Sequence, residues 1–339
     1  MYLSISKNNM KTNYLIKITV HTIAVLTICL QSTTMQAQFA GGNGTAAAPY
    51  QISTAAQLDY LARMVNSGNS GYGEKHYILT ADIDLSGYNA ANTNFNNGKG
   101  WIPIGISYAL PFNGTFNGNG KKIKGLYINS DKDLMGLFGY LTGMVINLGL
   151  EEANVTGVNL VGGLAGMFYS GNIANCYVAG DIKGKDEVGG LTGFICFGYI
   201  DNSYTLGTVS GRNYVGGLAG SSTNGRINKC AALNSSVEAF DGTSVRRITG
   251  FYAGSRTELD NIAFAGMTIK ARGNLQAPIT DDPNILFDGN SYTAEEIAVL
   301  KFSEMFRFAT PDSDPWTYGA GKLPGFGAAA DMPDYLIKR

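Results

Sequence analysis

Short apolar runs, separated by glycine and asparagine, recur along this chain at a constant interval. The clearest run contains Gly-Gly-Leu-x-Gly, and its leucines follow one another at 27-residue steps: Leu137, Leu164, Leu191 and Leu218. Each leucine is preceded by a glycine: Gly136, Gly163, Gly190 and Gly217. We expect a degenerate fifth copy at 248–254, with Phe251 in the leucine position after an insertion near 240–243. A constant period of this length indicates a repeat architecture.

Each repeat contains three pieces of strand length, for example 163–168, 172–178 and 179–184. They contain β-branched and aromatic residues, are separated by turn residues, and show no helical period. One such unit cannot bury its apolar face alone, whereas stacked units can. The sequence therefore predicts an all-β fold, a right-handed parallel β-helix (a solenoid) with coils of about 27 residues. Neighbouring coils are expected about 4.8 Å apart.

Aligning the repeats predicts a column of asparagines at one turn, interrupted by Lys229: Asn147, Asn175, Asn202 and Asn261. Stacked asparagines hydrogen-bond to one another and tolerate positive φ, so we interpret the column as structural. A polar binding groove is the alternative.

A second column follows one position later and contains Cys176, Ser203 and Cys230. Its two cysteines are two coils apart, about 10 Å, which is beyond the reach of a disulfide. We expect both to be free and to face inward.

Helical segments are predicted at both ends of the solenoid. A capping box, Thr54-x-x-Gln57, begins a helix over 55–66 that we expect to cover the first coil. A second box, Thr293-x-x-Glu296, begins a helix over 294–306. After it, Trp316 and 323–326 supply apolar groups expected to close the far end.

Residues 76–85 read as one strand with Asp82 and Asp84 on the same face. Hydrogen bonding at a turn is the favoured interpretation of the two aspartates, and a calcium pair is the alternative. The predicted domains are a signal peptide over 1–37, an N-terminal cap with the first coils over 38–131, the repeat solenoid over 132–275, and a C-terminal capping segment over 276–339.

The first residues have the pattern of a secretory leader, with Met10 as an alternative start. Lys11 and Lys17 precede an apolar run over 18–30, and 34–38 suits cleavage. A lipid anchor at Cys29 is not expected, because Ile28 has the wrong size for a lipoprotein box. We therefore expect an exported protein, extracellular or at the outer cell surface, with no transmembrane segment in the mature chain.

Composition excludes several functions. Only 15 % of the 339 residues are charged and the net charge is −1, so no basic patch suggests nucleic acid. The chain after the leader has an odd number of cysteines without metal spacing, and His76 is its only histidine. We expect no metal, no cofactor and no serine triad. The enzymatic alternative is a polysaccharide lyase or glycoside hydrolase, since stacked coils bring distant carboxylates together.

The repeated Gly-Gly-Leu-x-Gly resembles the GLUG repeat of bacterial surface and secreted proteins. The preceding module is also similar, and it is represented here by 49–58, 79–85, 101–105 and 112–120; Asn117 stands where aspartate is expected. The resemblance covers about 45–330, and the leader resembles those of Bacteroidetes-type secreted proteins. The resemblance to GLUG-repeat proteins implies a β-helix that is exposed at the bacterial surface or secreted, often in adhesin-like proteins or attached to enzymes such as metallopeptidases. It carries no catalytic residues.

Aromatic residues are the remaining candidates for binding. Strand alternation from Leu164 predicts that Tyr140, Met167 and Phe194 face outward, and Phe197 and Tyr199 lie near a turn. Such rings can stack on sugars or dock a protein, unless they lie in the core. We predict a non-catalytic surface solenoid for adhesion, scaffolding, or glycan or protein binding, with Tyr140, Phe194, Phe197 and Tyr199 as binding residues. The ligand itself is not specified by the sequence.

Overall fold

The computed structural model describes residues 38–337, apart from 70, 243, 255–259, 276–287 and 307–313. The predicted leader, with Met10 and Cys29, lies outside the described residues. The chain divides into two units, 1–38 and 39–339, and only the second is considered below. It forms a β-solenoid of about eight turns with coils of about 27 residues.

Three sheets form the walls of the solenoid, with strands numbered in chain order. The long sheet contains sixteen strands: β1 (Tyr50–Ile52), β2 (His76–Leu79), β3 (Ile83–Asp84), β4 (Thr115–Lys124), β5 (Tyr127–Asn129), β7 (Met144–Thr156), β10 (Asn172–Lys183), β13 (Tyr199–Asp201), β14 (Tyr204–Gly211), β17 (Arg226–Asn228), β18 (Ala231–Ala232), β19 (Ser236–Ala239), β22 (Ile262–Phe264), β23 (Thr268–Ala271), β24 (Asn274–Leu275) and β25 (Asn290–Tyr292). The second sheet contains β8 (Val161–Gly162), β11 (Asp186–Gly189), β15 (Asn213–Gly216) and β20 (Val245–Arg246). The third contains β6 (Phe138–Leu141), β9 (Ala165–Phe168), β12 (Thr192–Ile195), β16 (Ala219–Thr223) and β21 (Thr249–Ala253).

Helices are short and lie outside these sheets: α1 (Ala55–Asn66), α2 (Ala294–Val299) and α3 (Phe302–Met305). Single 3₁₀ turns occur at Tyr72–Glu74, Asn96–Gly98 and Asp334–Leu336. Neighbouring strands in the second and third sheets are parallel, with partners such as Ala165 and Thr192 one repeat apart. This register confirms the predicted coil length.

The repeated leucines fill the centre of the coils, and Leu137, Leu164, Leu191 and Leu218 are fully buried. The glycine before each repeated leucine is needed because the next coil passes very close to it. A Cβ at Gly190 would overlap the Gly217 carbonyl oxygen, and one at Gly217 would overlap that of Arg247. The Gly-Gly-Leu-x-Gly motif therefore encodes close stacking of coils.

The fifth copy has a different register from the one expected. Ile248 follows Leu218 in the buried column, since the Leu218 amide donates to the Ile248 carbonyl at 3.0 Å. Phe251 pairs with Ser221 and is exposed, so its assignment to the leucine position is wrong.

The insertion that shifts this register falls in two places. Thr208 pairs with Ser236, and the distance between them along the chain is slightly longer than one repeat. Val215 pairs with Val245, and their separation along the chain is longer again. Extra residues therefore enter both before Ser236 and between Ala239 and Val245.

The asparagine column is confirmed for three of its four members. Asn175 Nδ2 donates to Asn147 Oδ1 at 2.9 Å, and Asn202 Nδ2 donates to Asn175 Oδ1 at 3.5 Å. All three have φ between 50° and 56°. Asn117 extends the ladder, because it accepts from Asn147 Nδ2 at 3.3 Å.

Asn261 does not belong to this ladder, so that prediction is wrong. It aligns with Cys230 because the next residues, Ala231 and Ile262, are partners. Its side chain is buried, accepts from the Cys230 amide at 2.9 Å and donates to the Ile227 carbonyl at 2.8 Å. The inserted residues have shifted the register by one position.

The cysteines are free, as expected, and Cys176 and Cys230 are buried. Ser203 separates them in the column, and its Oγ accepts from the Cys176 amide at 3.1 Å. Burial raises the pKa of Cys176 to about 12 and raises that of Cys230 further. These thiols are small interior residues with no thiolate character near neutral pH.

Helix α1 has the predicted bounds. Thr54 accepts from the Gln57 amide, and the helix buries an apolar stripe that contains Leu58, Leu61, Ala62 and Val65. The side chain of Asn66 links the C-terminal end of this helix to the segment 103–105. Its Nδ2 donates to the Pro103 carbonyl and its Oδ1 accepts from the Gly105 amide, both at 2.9 Å.

The strand predicted over 76–85 is interrupted after Leu79 and resumes at Ile83. Asp82 accepts from the Lys122 amide at 2.9 Å, and Asp84 accepts from the Ser86 amide at 2.8 Å. Both aspartates therefore hydrogen-bond to nearby backbone.

The predicted helix over 294–306 is two helices, because Leu300 is extended (φ −62°, ψ 127°) and separates α2 from α3. The capping box is confirmed: Thr293 Oγ1 accepts from the Glu296 amide at 3.2 Å, and Glu296 accepts from the Thr293 amide at 2.7 Å.

Residues 314–337, here called the C-terminal strap, lie against the long sheet. The expectation that Trp316 and 323–326 close the far end is therefore wrong. Trp316 and Phe326 stack at 4.4 Å, and Trp316 lies 5.8 Å from the Tyr204 ring. Tyr204 Oη donates to the Pro324 carbonyl at 2.6 Å. The strap packs on a pair of stacked rings on this sheet. Tyr177 and Tyr204 occupy equivalent positions in neighbouring coils, and their ring centroids lie 5.0 Å apart with the ring planes 4° apart.

At the last coil, Arg246 and Arg247 replace the paired glycines. Arg246 pairs with Gly216, and β20 is the last strand of its sheet in the described residues. The Arg247 amide donates to Asp288 Oδ1 at 3.1 Å, and its Nη1 donates to Ser291 Oγ at 2.8 Å. Both Arg247 and Asp288 are buried. At the end of its sheet, the repeat therefore has arginine side chains in place of the paired glycines, and Arg247 bonds to the segment that contains Asp288 and Ser291.

Candidate functional site

Four aromatic rings form a continuous row over the third sheet and the hairpin beside it. This row, here called the aromatic strip, consists of Tyr108, Tyr140, Tyr169 and Phe197. Ring centroids are 5.9 Å apart for Tyr108 and Tyr140, 6.1 Å for Tyr140 and Tyr169, and 5.8 Å for Tyr169 and Phe197. The Tyr140 and Tyr169 rings are stacked, and the two outer contacts are edge-to-face.

The strip runs obliquely across the coils. Tyr140 lies within β6, Tyr169 follows β9, and Phe197 follows β12. Their separations along the chain slightly exceed the repeat length, so each ring is displaced along its coil relative to the previous one. Tyr108 joins the row from a tight turn that is closed by the bridge between Ser107 and Leu110.

Exposure differs strongly along the strip: Tyr108 is 79 % exposed, Tyr169 37 % and Phe197 48 %. Tyr140 is only 7 % exposed, which corrects the expectation that it is a surface ring. The Tyr108 and Tyr169 rings cover it, and burial raises the pKa of its phenol. Tyr140 therefore supports the strip from beneath.

The other predicted binding aromatics lie nearby. Phe194 is half-buried and aligns with Met167 and Tyr140 in one column. Tyr199 is exposed, but it contacts Arg226, whose guanidinium carbon lies 5.3 Å from the ring centroid. Sequence reasoning missed Tyr108 and Tyr169. The available signal for Tyr169 is its separation from neighbouring rings, which is close to one repeat length.

Three charged residues, Arg226, Asp201 and Glu187, have side-chain partners. Arg226 lies 3.3 Å from Asp201, which also accepts from Asn228 Nδ2 at 3.0 Å. Glu187 accepts from Ser221 Oγ at 2.8 Å, and burial raises the pKa of the Glu187 carboxyl.

A groove of about 720 Å³ lies beside α2 and α3, with lining residues that include Lys229, Ile262, Tyr292 and Lys301. Lys301 is paired with Glu304 at 2.9 Å. In the described residues, no group of three or more His, Cys, Asp or Glu is arranged to hold a metal ion. No helix within those ranges is long and apolar enough to span a membrane.

The fold and the strip together define a parallel β-solenoid with an exposed aromatic row, and comparison with solved structures supports the fold. The chain is similar to the crystal structure of a "putative immunoglobulin A1 protease" from Bacteroides ovatus, with a TM-score of 0.65 and 23 % identity. The match covers 85 % of this chain and 95 % of that chain. No family model matches the chain.

Two curated proteins match part of the sequence. One, from Evansella cellulosilytica, is named "Putative Gly-rich membrane protein" and is 41 % identical over 137 residues, 39 % of this chain and 14 % of that protein. The other is Halomucin from Haloquadratum walsbyi, 33 % identical over 172 residues, 50 % of this chain and 2 % of that protein. The chain thus spans a small part of both relatives.

Proposed function

We propose that this chain is a non-catalytic β-solenoid that acts outside the cell, as an adhesin or scaffold at the bacterial surface or as a secreted protein. The aromatic strip carries the proposal, because three of its four rings, Tyr108, Tyr169 and Phe197, are exposed beside one another over the buried Tyr140, and clustered exposed aromatic rings mark binding surfaces. The export-type leader, the resemblance to GLUG-repeat surface proteins and the printed names of the two partial relatives support an extracellular location.

Binding through the strip is testable with the purified chain on arrays of glycans and of extracellular proteins. We expect wild type to bind at least one ligand and Tyr169→Ala/Phe197→Ala to lose it. Phe251→Ala is the matched control, since Phe251 is an exposed ring on the same sheet but contacts Tyr214 rather than the strip. Equal binding by the double variant and wild type would contradict the proposal.

Location is tested separately in intact cells that express the full chain. We expect externally added protease to remove an epitope placed after 337, and we expect the same epitope to survive when the leader is deleted. Protection of the epitope in intact cells, together with its absence from the medium, would contradict an extracellular role.

A carbohydrate-active enzyme is the second candidate, and Glu187 is the observation that favours it. Glycosidases use a carboxylic acid with a raised pKa together with a second carboxylate. Glu187 has a raised pKa and hydrogen-bonds to Ser221, which pairs with Phe194 on the third sheet. Size-exclusion analysis of polysaccharides incubated with the chain decides between the two. Shortening of a polymer that Glu187→Gln abolishes would establish the enzyme and contradict the non-catalytic proposal.

A further inference from the structure

The geometry points to a neutral linear polysaccharide as the ligand of the aromatic strip, and we propose this ligand class as an extension of the function proposed above. The inference rests on that function, because it assumes that the strip binds a ligand. Three properties of the strip select the ligand: its width, its lack of charge, and the mixture of ring faces, ring edges and hydroxyls that it exposes.

The narrow width of the aromatic strip argues against a folded protein partner. A stable protein–protein interface buries about 800 Å² on each side and involves about 20 to 30 residues per partner. The strip is a single file of rings, and its exposed members are Tyr108, Tyr169 and Phe197. A long ligand that lies along the file contacts successive rings, whereas a globular surface contacts only one or two. An extended polymer therefore fits this shape best.

Charge argues against an acidic polymer. Carboxylate and sulfate groups are recognised by arginine and lysine, through charge-assisted hydrogen bonds. Within the described residues, the ring contacts of the strip are to other aromatic rings, and no cation lies over a strip ring. Arg226, which lies over Tyr199, is already paired with Asp201.

The chemistry of the exposed rings suits hexose or pentose units. A sugar has an apolar C–H face that packs on an aromatic ring, with hydroxyls around its edge. Tyr169 and Phe197 stand edge-to-face, so they expose differently oriented apolar surfaces to the ligand. The phenol groups of Tyr108 and Tyr169 donate and accept hydrogen bonds, as sugar hydroxyls require. Backbone hydrogen bonds to the preceding coil hold two of the rings in place before binding, since the Tyr169 amide donates to the Leu141 carbonyl at 2.8 Å and the Phe197 amide donates to the Tyr169 carbonyl at 2.7 Å. This ordering lowers the entropic cost of binding.

The test is affinity gel electrophoresis of the full chain in gels that contain one polysaccharide each. The neutral probes are mixed-linkage β-glucan, xylan and galactomannan, and the acidic probes are polygalacturonate, alginate and hyaluronan. We expect at least one neutral polymer to retard wild type and the acidic polymers to leave its mobility unchanged. Retardation by acidic polymers alone, or by none of the six, would overturn the inference.

Variants of the strip show whether it is the site that binds the polysaccharide in the gel. Tyr169→Ala/Phe197→Ala is expected to weaken binding about tenfold or more, because it removes two stacking surfaces. Phe251→Ala and the ring-conserving Phe197→Tyr are expected to bind within about twofold of wild type. Circular dichroism confirms that each variant is folded. If Phe251→Ala weakens binding as much as the double variant does, the strip is not the site.

The array experiment separates failure of this inference from failure of the proposed function. Strip-dependent binding of a protein or an acidic glycan, without retardation by a neutral polymer, overturns the ligand class and leaves the extracellular binding role standing. Binding of no array component overturns both.

Discussion

At the scale of single residues, the asparagine ladder shows how a turn of the solenoid is encoded. Asn175 donates to Asn147 and accepts from Asn202, and it does so in the left-handed conformation, at φ 54°. Two separate properties are needed at this position: an amide side chain and tolerance of positive φ.

Substitution of Asn175 separates these two properties. Asn175→Ala removes the ladder hydrogen bonds and places a Cβ residue without a local hydrogen bond at positive φ, so we expect a loss of about 2–3 kcal/mol of unfolding free energy. Asn175→Gly removes the same bonds without the conformational penalty and is expected to be about 1 kcal/mol more stable than the alanine variant. Urea denaturation measures both. A glycine variant less stable than the alanine variant would contradict this account.

Glu187 gives a prediction of pH dependence. Its folded pKa is raised by burial, with Asp186 contributing, above the ordinary value of about 4.3. Its contribution to stability is therefore fully present below about pH 4.3 and is lost as the pH rises through the folded pKa. We expect Glu187→Gln to be more stable than wild type at neutral pH, and the difference to shrink on acidification.

Thermal unfolding of wild type and Glu187→Gln in parallel from pH 4 to pH 8 measures this difference, because all other titrating groups are shared. A constant difference across the range, or one that grows towards acid pH, would show that the pKa of Glu187 is not raised in the folded protein.

At the scale of elements, the sequence predicted the features that follow from the constant repeat length. It missed the features at which the chain departs from that length. The coil length, the buried leucines and helix α1 follow from spacing alone. Residues inserted before Val245 shifted the register at Phe251, and a further change between Ala253 and Ile262 shifted it again, so Phe251 and Asn261 were assigned to wrong columns. The aromatic strip was only partly visible, because its rings are spaced slightly more widely than the repeat and because Tyr108 comes from a hairpin outside the repeats.

The last coil offers an experiment on how the repeat ends. Arg247 stands where the repeat has glycine, and it meets Asp288 in the interior. Arg247→Gly restores the repeat sequence but removes one guanidinium beside the buried carboxylate, which keeps Arg246 as a partner at 3.5 Å. We expect a loss of about 3 kcal/mol, the lower end for a broken buried pair. Adding Asp288→Asn should recover part of the loss, since a neutral amide is less costly to bury.

A double-mutant cycle on Arg247 and Asp288, followed by chemical denaturation, measures their coupling. Strictly additive effects of the two substitutions would mean that Arg247 stabilises the end through contacts other than the one with Asp288, such as its hydrogen bond to Ser291.

At the scale of the whole molecule, the C-terminal strap connects coils that the repeat leaves independent. In a solenoid each coil contacts mainly its neighbours, so stability is close to a sum of local terms. The strap is different, because it contacts several coils at once. Phe326 lies over Gly120 in β4, Tyr335 Oη donates to the Leu233 carbonyl at 2.8 Å, and the Tyr335 ring lies 6.1 Å from that of Phe264.

Trp316→Ala tests whether the strap makes unfolding cooperative. Trp316 is buried and contacts the rings of Tyr177, Tyr204 and Phe326, so its loss should cost about 3–5 kcal/mol. We also expect wild type to unfold in one transition and Trp316→Ala to unfold in a broader or split one, because coils held together by the strap would then unfold separately. Circular dichroism during guanidinium denaturation is the measurement, and Phe251→Ala is the control for removing an aromatic ring elsewhere. A Trp316→Ala transition that moves to lower denaturant with an unchanged slope would mean that the strap adds stability without coupling the coils.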